Sequence, residues 1–298
     1  MSILKAKFLS NLELKFGLSS NFCLQSVFNA IATPVSGIVT YQLQPRSTMK
    51  SLIQWGATLG LLGSTLWGSL LGVSMPAWAL EEQDIVEKLQ AVPVFAITDA
   101  QGSPLIASIP QGEDPENTVP VSGVFINRSD AEAFVERLRS QDPNIANQVR
   151  VTTISMAEVY QLDRENGEVP EGLQFAYVPN RSQVDEAIGL LADRGEELEQ
   201  FPGVPLFIGT AGPESGYLTI EQDGEQLIPM FFNRTELENV LEQFKTQQPD
   251  LAGTVGIQVE SLEGVIRMME TSDNPQLEQL VLVPPLETLE FLRTQPIE

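Results

Sequence analysis

The chain repeats itself once, with matching segments about 106 positions apart, as between Asn127 and Asn233. A duplication of that length restricts the fold to two like units that bury their apolar faces against each other. Val124-Phe125-Ile126-Asn127-Arg128-Ser129 is answered by Met230-Phe231-Phe232-Asn233-Arg234-Thr235. Gln141-Asp142-Pro143-Asn144-Ile145-Ala146 is answered by Gln247-Gln248-Pro249-Asp250-Leu251-Ala252, and Val149-Arg150-Val151 by Val255-Gly256-Ile257. Upstream, Val92-Pro93-Val94-Phe95 matches Val204-Pro205-Leu206-Phe207; downstream, Tyr177-Val178-Pro179 matches Leu282-Val283-Pro284. The expected architecture is an α/β (α+β) protein of two tandem pseudo-symmetric repeats, residues 80–192 and 203–298, packed about a pseudo-twofold axis. The acidic stretch 193–202, running into a Pro-Gly pair, is the expected linker.

Local patterns give each unit as roughly ββ(β)αβαβα. Strands are expected over 92–98 and 105–109 in the first copy and over 217–221 and 226–232 in the second. There Asp223-Gly224 marks a type I′ turn. The first copy is expected to carry a loose loop over 110–119, rich in Gly, Pro and acids. Ala131, Phe134, Val135 and Leu138 repeat at helical spacing, as do Leu237, Val240, Leu241 and Phe244, so a helix burying one stripe follows in each copy. Ser129-x-x-Glu132 and Thr235-x-x-Glu238 suggest capping boxes for those helices. Pro143 and Pro249 stop the chain from resuming them. Ser155 and Ser261 are expected N-caps of a second helix. The apolar runs 173–178 and 280–283 suit interior strands, and a last helix follows each.

The first eighty residues differ in kind. From Ser51 to Leu80 there is no charge, and the apolar stretch 52–73 leads into Met75-Pro76-Ala77-Trp78-Ala79. Ala77 and Ala79 form the small-x-small site that a signal peptidase accepts. Residues 49–79 are therefore expected to be a signal peptide starting at Met49. An uncleaved anchor is the alternative, because the stretch is long enough to span. Residues 1–48 are either an over-extended start or an organelle transit segment. The first reading places the mature chain in an exported bacterial compartment, the second inside a plastid.

Composition removes whole classes of chemistry. There is no histidine, and the single cysteine, Cys23, lies in the leader. Histidine bases, Ser-His-Asp and Cys-His nucleophile systems and the usual zinc ligand sets are thereby excluded. No glycine-rich phosphate loop occurs, and Lys88 and Lys245 are the only lysines after Leu80. The expectation is a chain that is not an enzyme and takes no cofactor or metal. Twelve bases and thirty-nine acids follow Leu80, a balance of about −27. Such a surface repels nucleic acid and anionic headgroups and keeps a protein dispersed.

Val-Pro-Val-Phe, Gln200 to Phe207 (Gln-Phe-Pro-Gly-Val-Pro-Leu-Phe), Gly216 to Ile220 (Gly-Tyr-Leu-Thr-Ile), Leu262 to Ile266 (Leu-Glu-Gly-Val-Ile) and Val283 to Glu287 (Val-Pro-Pro-Leu-Glu) carry a resemblance by their order and spacing. Over about residues 85–298 the chain resembles the 22-kilodalton subunit family of the translocon at the inner chloroplast envelope, most closely its cyanobacterial members. The resemblance implies two similar halves located between membranes and a role in preprotein import or outer-membrane biogenesis, in a cyanobacterial periplasm or thylakoid lumen or in a plastid intermembrane space. It implies chaperone-like binding of unfolded or precursor proteins and partnership with a membrane-embedded translocon or β-barrel assembly component. It implies neither nucleic-acid binding nor membrane insertion after cleavage. A fixed docking subunit of such machinery is the alternative function. The family supplies no catalytic motif.

Two features invite a site reading. Asn127-Arg128 and Asn233-Arg234 sit before a helix in both copies, where an arginine could tie a strand end to a nearby acid or take part in binding. Met230, Phe231 and Phe232 alternate across a strand, either as core or as a client-contact surface. The leader reading has a direct check: N-terminal sequencing of the native protein should return Leu80 as the first residue, and a mature chain beginning at Met49 or earlier would refute it.

Overall fold

The structure, a computed structural model, describes residues 42–44, 80–111, 114–167 and 172–294. A short strand, β1 (Gln42–Gln44), precedes both halves. The first half runs α1 (Glu82–Gln90), β2 (Pro93–Asp99), β3 (Ala107–Gln111), β4 (Asp114–Phe125), α2 (Arg128–Gln141), α3 (Pro143–Ala146), β5 (Val149–Ser155), α4 (Met156–Gly167), β6 (Gln174–Val178) and α5 (Arg181–Ala192). The second runs β7 (Pro205–Ala211), β8 (Gly216–Gln222), β9 (Glu225–Phe231), α6 (Arg234–Gln247), β10 (Gly256–Ser261), α7 (Leu262–Thr271), β11 (Leu280–Val283) and α8 (Leu286–Thr294). Short 3-10 helices at Pro249–Thr254 and Pro275–Gln279 complete it.

Both halves use one pairing scheme. The first strand of each, β2 or β7, pairs antiparallel with the third strand and with the fourth. The third strand, β4 or β9, pairs in parallel with the last, β6 or β11. Pro93 and Pro205 are the first residues of their strands, where a missing N–H costs no ladder bond. Asp223 and Gly224 both have positive φ, 53° and 86°, between the paired Gln222 and Glu225, as a type I′ hairpin requires. Ser155 accepts the Glu158 N–H and Ser261 the Gly264 N–H, each at 3.1 Å, so both serines cap the helix that follows.

Three apolar clusters hold the layers together. One joins the inner faces of both sheets (Val94, Ala96 and Val124 with Leu206, Ile208, Met230 and Leu282) to α1, α4 and α7. The outer face of the first sheet, Phe95, Ile97 and Phe125, packs on α2 and on Phe291 of α8. The outer face of the second, Phe207, Ile220 and Phe231, packs on α6 and on Ala187 and Leu191 of α5. Each repeat therefore sends its last helix across to cover the other repeat's sheet.

Several expectations are corrected. The loop expected over 110–119 is a strand hairpin: β3 and β4 pair from Ala107↔Val121 through Gln111↔Asp114, with a register shift at Pro110/Gln111. Polar and Pro-rich composition does not prevent pairing at a sheet margin, where one side of the backbone is free. The capping boxes do not form. Helices α2 and α6 begin earlier, with Asn127 and Asn233 as N-caps. The Asn233 side chain accepts from Thr235 and Glu236 N–H at 2.9 and 3.3 Å, displacing the hydroxyl from that task. β6 and β11 are edge strands rather than interior ones, each pairing with one neighbour; β6 is only half covered, and its apolar residues reflect contact with the central cluster. Helix α1 was not foreseen, although Ile85 and Leu89, four residues apart, are both buried. The linker is anchored: Phe201 is buried in the second sheet's outer cluster. Ala77 and Ala79 lie outside the described residues.

Helix exchange predicts that neither repeat folds alone. Residues 80–192 and 203–298, made separately, should show no cooperative thermal transition, and mixing them should restore one. A cooperative transition in either isolated half would overturn the prediction.

Candidate functional site

The strand-to-helix junctions after β4 and β9 are the points at which the exchanged helices are fastened. The backbone is extended at Asn127 and Asn233, at φ −110° and −124°, and turns helical at the arginine. Arg234 bonds Glu238 at 2.8 Å, pairs with Glu186 of α5, and donates its backbone N–H to Gln183 Oε1 at 2.8 Å. Arg128 bonds Glu132 at 2.7 Å and lies 3.8 Å from the ring centroid of Phe291 in α8. Glu186 and Phe291 are equivalent positions, each seven residues after the repeated proline, Pro179 or Pro284. The same junction is thus closed by an ion pair on one side and a cation–π contact on the other. Either is worth about 0.5–1 kcal/mol at this exposure. The arginine of each pair therefore contacts the other repeat's last helix, while the asparagine is the N-cap of its own helix.

A second pair of contacts repeats as well. Asp130 Oδ2 accepts from the Asn180 side chain at 3.0 Å, and Glu236 Oε1 accepts the Leu286 N–H at 2.9 Å. Ser129 donates to Glu287 at 2.9 Å. The N-termini of α2, α5, α6 and α8 thus meet in one region carrying several carboxylates, which suits the positive ends of those helices. Burial pushes the Glu236 carboxyl above its ordinary value; the Leu286 N–H opposes the rise, while Glu287 and Glu290 add to it.

Elsewhere, partly buried ionisable groups are tied to backbone or to each other. Lys88 of α1 donates to the carbonyls of Glu278 and Leu280 at 2.6 and 3.2 Å; burial lowers its pKa, with Asp84 and Glu278 opposing. Glu263 accepts the Val204 N–H at 3.0 Å, and burial raises it too. Gly203 lies beside that carboxylate at φ 100°, where an added Cβ would fall 2.0 Å from Glu263 Oε2, so only glycine fits. Tyr160 donates to Glu270 at 3.0 Å across α4 and α7, and burial followed by that bond raises it to about 12.

These contacts fasten elements of the fold to one another. Among the described residues no group of three acids is placed to hold a metal ion. Met230, Phe231 and Phe232 are 1%, 0% and 3% exposed, so they pack between layers and present no surface to a client. The large apolar side chains exposed among the described residues, Ile106, Ile145 and Leu198, lie before β3, in α3 and in the linker. No helix among those residues is long and apolar enough to cross a membrane.

The Tic22-like family matches residues 43–293. The chain belongs to that family. Protein TIC 22, chloroplastic, of Pisum sativum is 26% identical over 214 residues, covering 70% of this chain and 77% of the relative. Its Arabidopsis thaliana namesake is 25% identical over 211 residues, covering 70% of each. Among solved structures, Anabaena Tic22, described as a protein transport protein, aligns with a TM-score of 0.64 at 30% identity over 74% of this chain and 99% of that one. Tic22 from Plasmodium falciparum shares the fold at a TM-score of 0.55 and 23% identity. The family is one of protein transport, and the mixed α/β fold is shared across it.

The two raised carboxyls of this Tic22-like chain carry a pH signature. Both have folded pKa values above the ordinary 4.5, so the folded chain holds protons that the unfolded chain releases. Their contribution to stability is present below pH 4.5 and is lost as pH rises through the folded values. The wild type should therefore lose stability relative to a Glu236→Gln/Glu263→Gln variant between pH 4.5 and neutrality, as read from urea midpoints. Parallel profiles would refute the assignment.

Proposed function

We propose that this chain is a non-enzymatic transport factor that binds unfolded envelope or outer-membrane precursors and keeps them from aggregating. The observation that carries the reading is the family match together with a fold-level neighbour whose recorded role is protein transport. The chemistry agrees with it. The mature sequence has no histidine or cysteine to activate as base or nucleophile, so capture is passive and release follows folding or handover. A balance of about −27 keeps loaded complexes apart by mutual repulsion. The compartment proposed is exported: a periplasm or thylakoid lumen, or a plastid intermembrane space. The partners proposed are precursor proteins and a membrane-embedded translocon or β-barrel assembly component.

One observation favours the alternative of a fixed docking subunit. The large apolar side chains of the described residues are almost all committed to the three internal clusters. Passive capture through exposed apolar grooves needs surface that this arrangement keeps inside.

Light scattering separates the two. A denatured β-barrel precursor is diluted into buffer with and without residues 80–298. Client binding predicts suppressed aggregation at a micromolar dissociation constant, about −8 kcal/mol, with little salt dependence. Unchanged aggregation at several-fold excess assigns the docking role instead.

A further inference from the structure

Exposed strand edges carry unpaired backbone donors and acceptors, and folded chains close them. β6, β10 and β11 each pair with a single neighbour, and on each a side chain takes a backbone group. Asp163 accepts the Phe175 N–H of β6 at 3.2 Å, Arg194 donates to the Ile257 carbonyl of β10, and Lys88 donates to the Leu280 carbonyl of β11 at 3.2 Å. The edge of β8 is closed in another way. Tyr217 pairs with Thr210 of β7 on one side and with Gln44 of β1 on the other. β1 extends the sheet antiparallel past β8, with Gln42 opposite Thr219 and Leu43 opposite Leu218. Over Tyr217-Leu218-Thr219-Ile220 there is no lysine, no proline and no charge, so the middle of β8 lacks the features that discourage strand addition.

β1 precedes the expected processing point at Ala79. We propose that the β8 edge is a strand-docking site, filled by β1 in the full chain. In a chain that begins after Ala79, an extended segment of an unfolded transport client adds there antiparallel. The inference rests on the client-binding reading above and gives it a place. Recognition through the backbone ladder tolerates varied side chains, as a factor serving many precursors requires. The surroundings set a preference: Glu214 is exposed at one end of β8, and Glu221 and Asp223 at the other. An uncharged extended core flanked by basic residues fits that edge. The chain's own Gln42-Leu43-Gln44 is uncharged and is followed in sequence by Pro45-Arg46.

The probe is a fluorescent peptide of residues 38–47, followed by anisotropy. The protein is the full chain with a protease site inserted in the leader, measured uncut and then cut, with the leader removed by gel filtration. Among the described residues the apolar clusters start with Leu80 packed against Ile85 and its neighbours, so cutting before Leu80 removes none of their described members. The cut protein should bind at least tenfold more tightly than the uncut one. A peptide N-methylated at Gln42, Leu43 and Gln44, which keeps its side chains but loses its donors, should not bind. Leu43→Pro in the uncut chain should raise peptide binding without any cut. Equal binding before and after cutting, equal binding of the methylated peptide, or no binding to either the cut chain or the Leu43→Pro chain would overturn the proposal. The aggregation assay keeps the two ideas apart. Suppression without peptide binding leaves client holding in place and removes the edge; peptide binding without suppression leaves the edge and removes client holding.

Discussion

β2 and β7 bury both faces along nearly their whole length, so each central strand needs apolar cover on two sides. The inner cover is shared, because one cluster serves both sheets. The outer cover is only partly supplied within each repeat, by α2 or α6. The rest arrives from the other repeat as α8 or α5. A duplicated unit whose last helix reaches across cannot leave its partner without exposing Phe95 or Phe207. Removing a fully buried Phe side chain from such a site costs about 3–5 kcal/mol, so this exchange outweighs every polar contact at the junctions. The arginine clasps then serve to fix where the exchanged helices sit; their individual worth is too small to hold the halves together.

The same ordering explains how so acidic a chain tolerates its charge. Cations are scarce, and several of them sit where two elements join. Arg128 and Arg234 fasten exchanged helices, Lys88 joins α1 to the start of β11, Arg164 reaches Glu82 and Glu270, and Arg194 ties the linker to β10. Carboxylates gather at helix N-termini, where the backbone N–H groups favour them. Glu236 is the limiting case, since burial there overcomes the favourable N–H and raises its pKa.

Most of the strands and the amphipathic stripes of α2 and α6 were legible in the sequence because they depend on local period, whereas the strand pairing over 110–119 was not. The edge position of β6 and β11 was not, since an apolar run looks alike whether it is covered by a second strand or by a helix. The Asn caps were missed because the Ser-x-x-Glu and Thr-x-x-Glu patterns offered an equally local alternative, and only the path of the chain leaving β4 and β9 decides between them. The exchange of helices left one trace in sequence: Arg128 and Arg234 recur at equivalent positions, yet their partners, Phe291 and Glu186, differ in chemistry and so concealed their equivalence. Met230-Phe231-Phe232 could be read as surface or core from alternation alone, and the presence of apolar layers on both sides of β9 settles it as core.

Burial of this kind also constrains how such a chain can recognise others. A carrier that binds through apolar side chains must keep some of them outside, and its solubility suffers in proportion. Here the large apolar side chains of the described residues are almost all inside, so on the strand-docking proposal the contact is the peptide backbone. A backbone ladder tolerates varied side chains and is reversible when a bound segment folds away, while the acidic rim would favour segments with basic flanks. It has one drawback, which is that an open edge also invites copies of the same chain to pair. Strong like charge flanking the edge, from Glu214, Glu221 and Asp223, counters that, because two such edges brought together would set carboxylates against carboxylates.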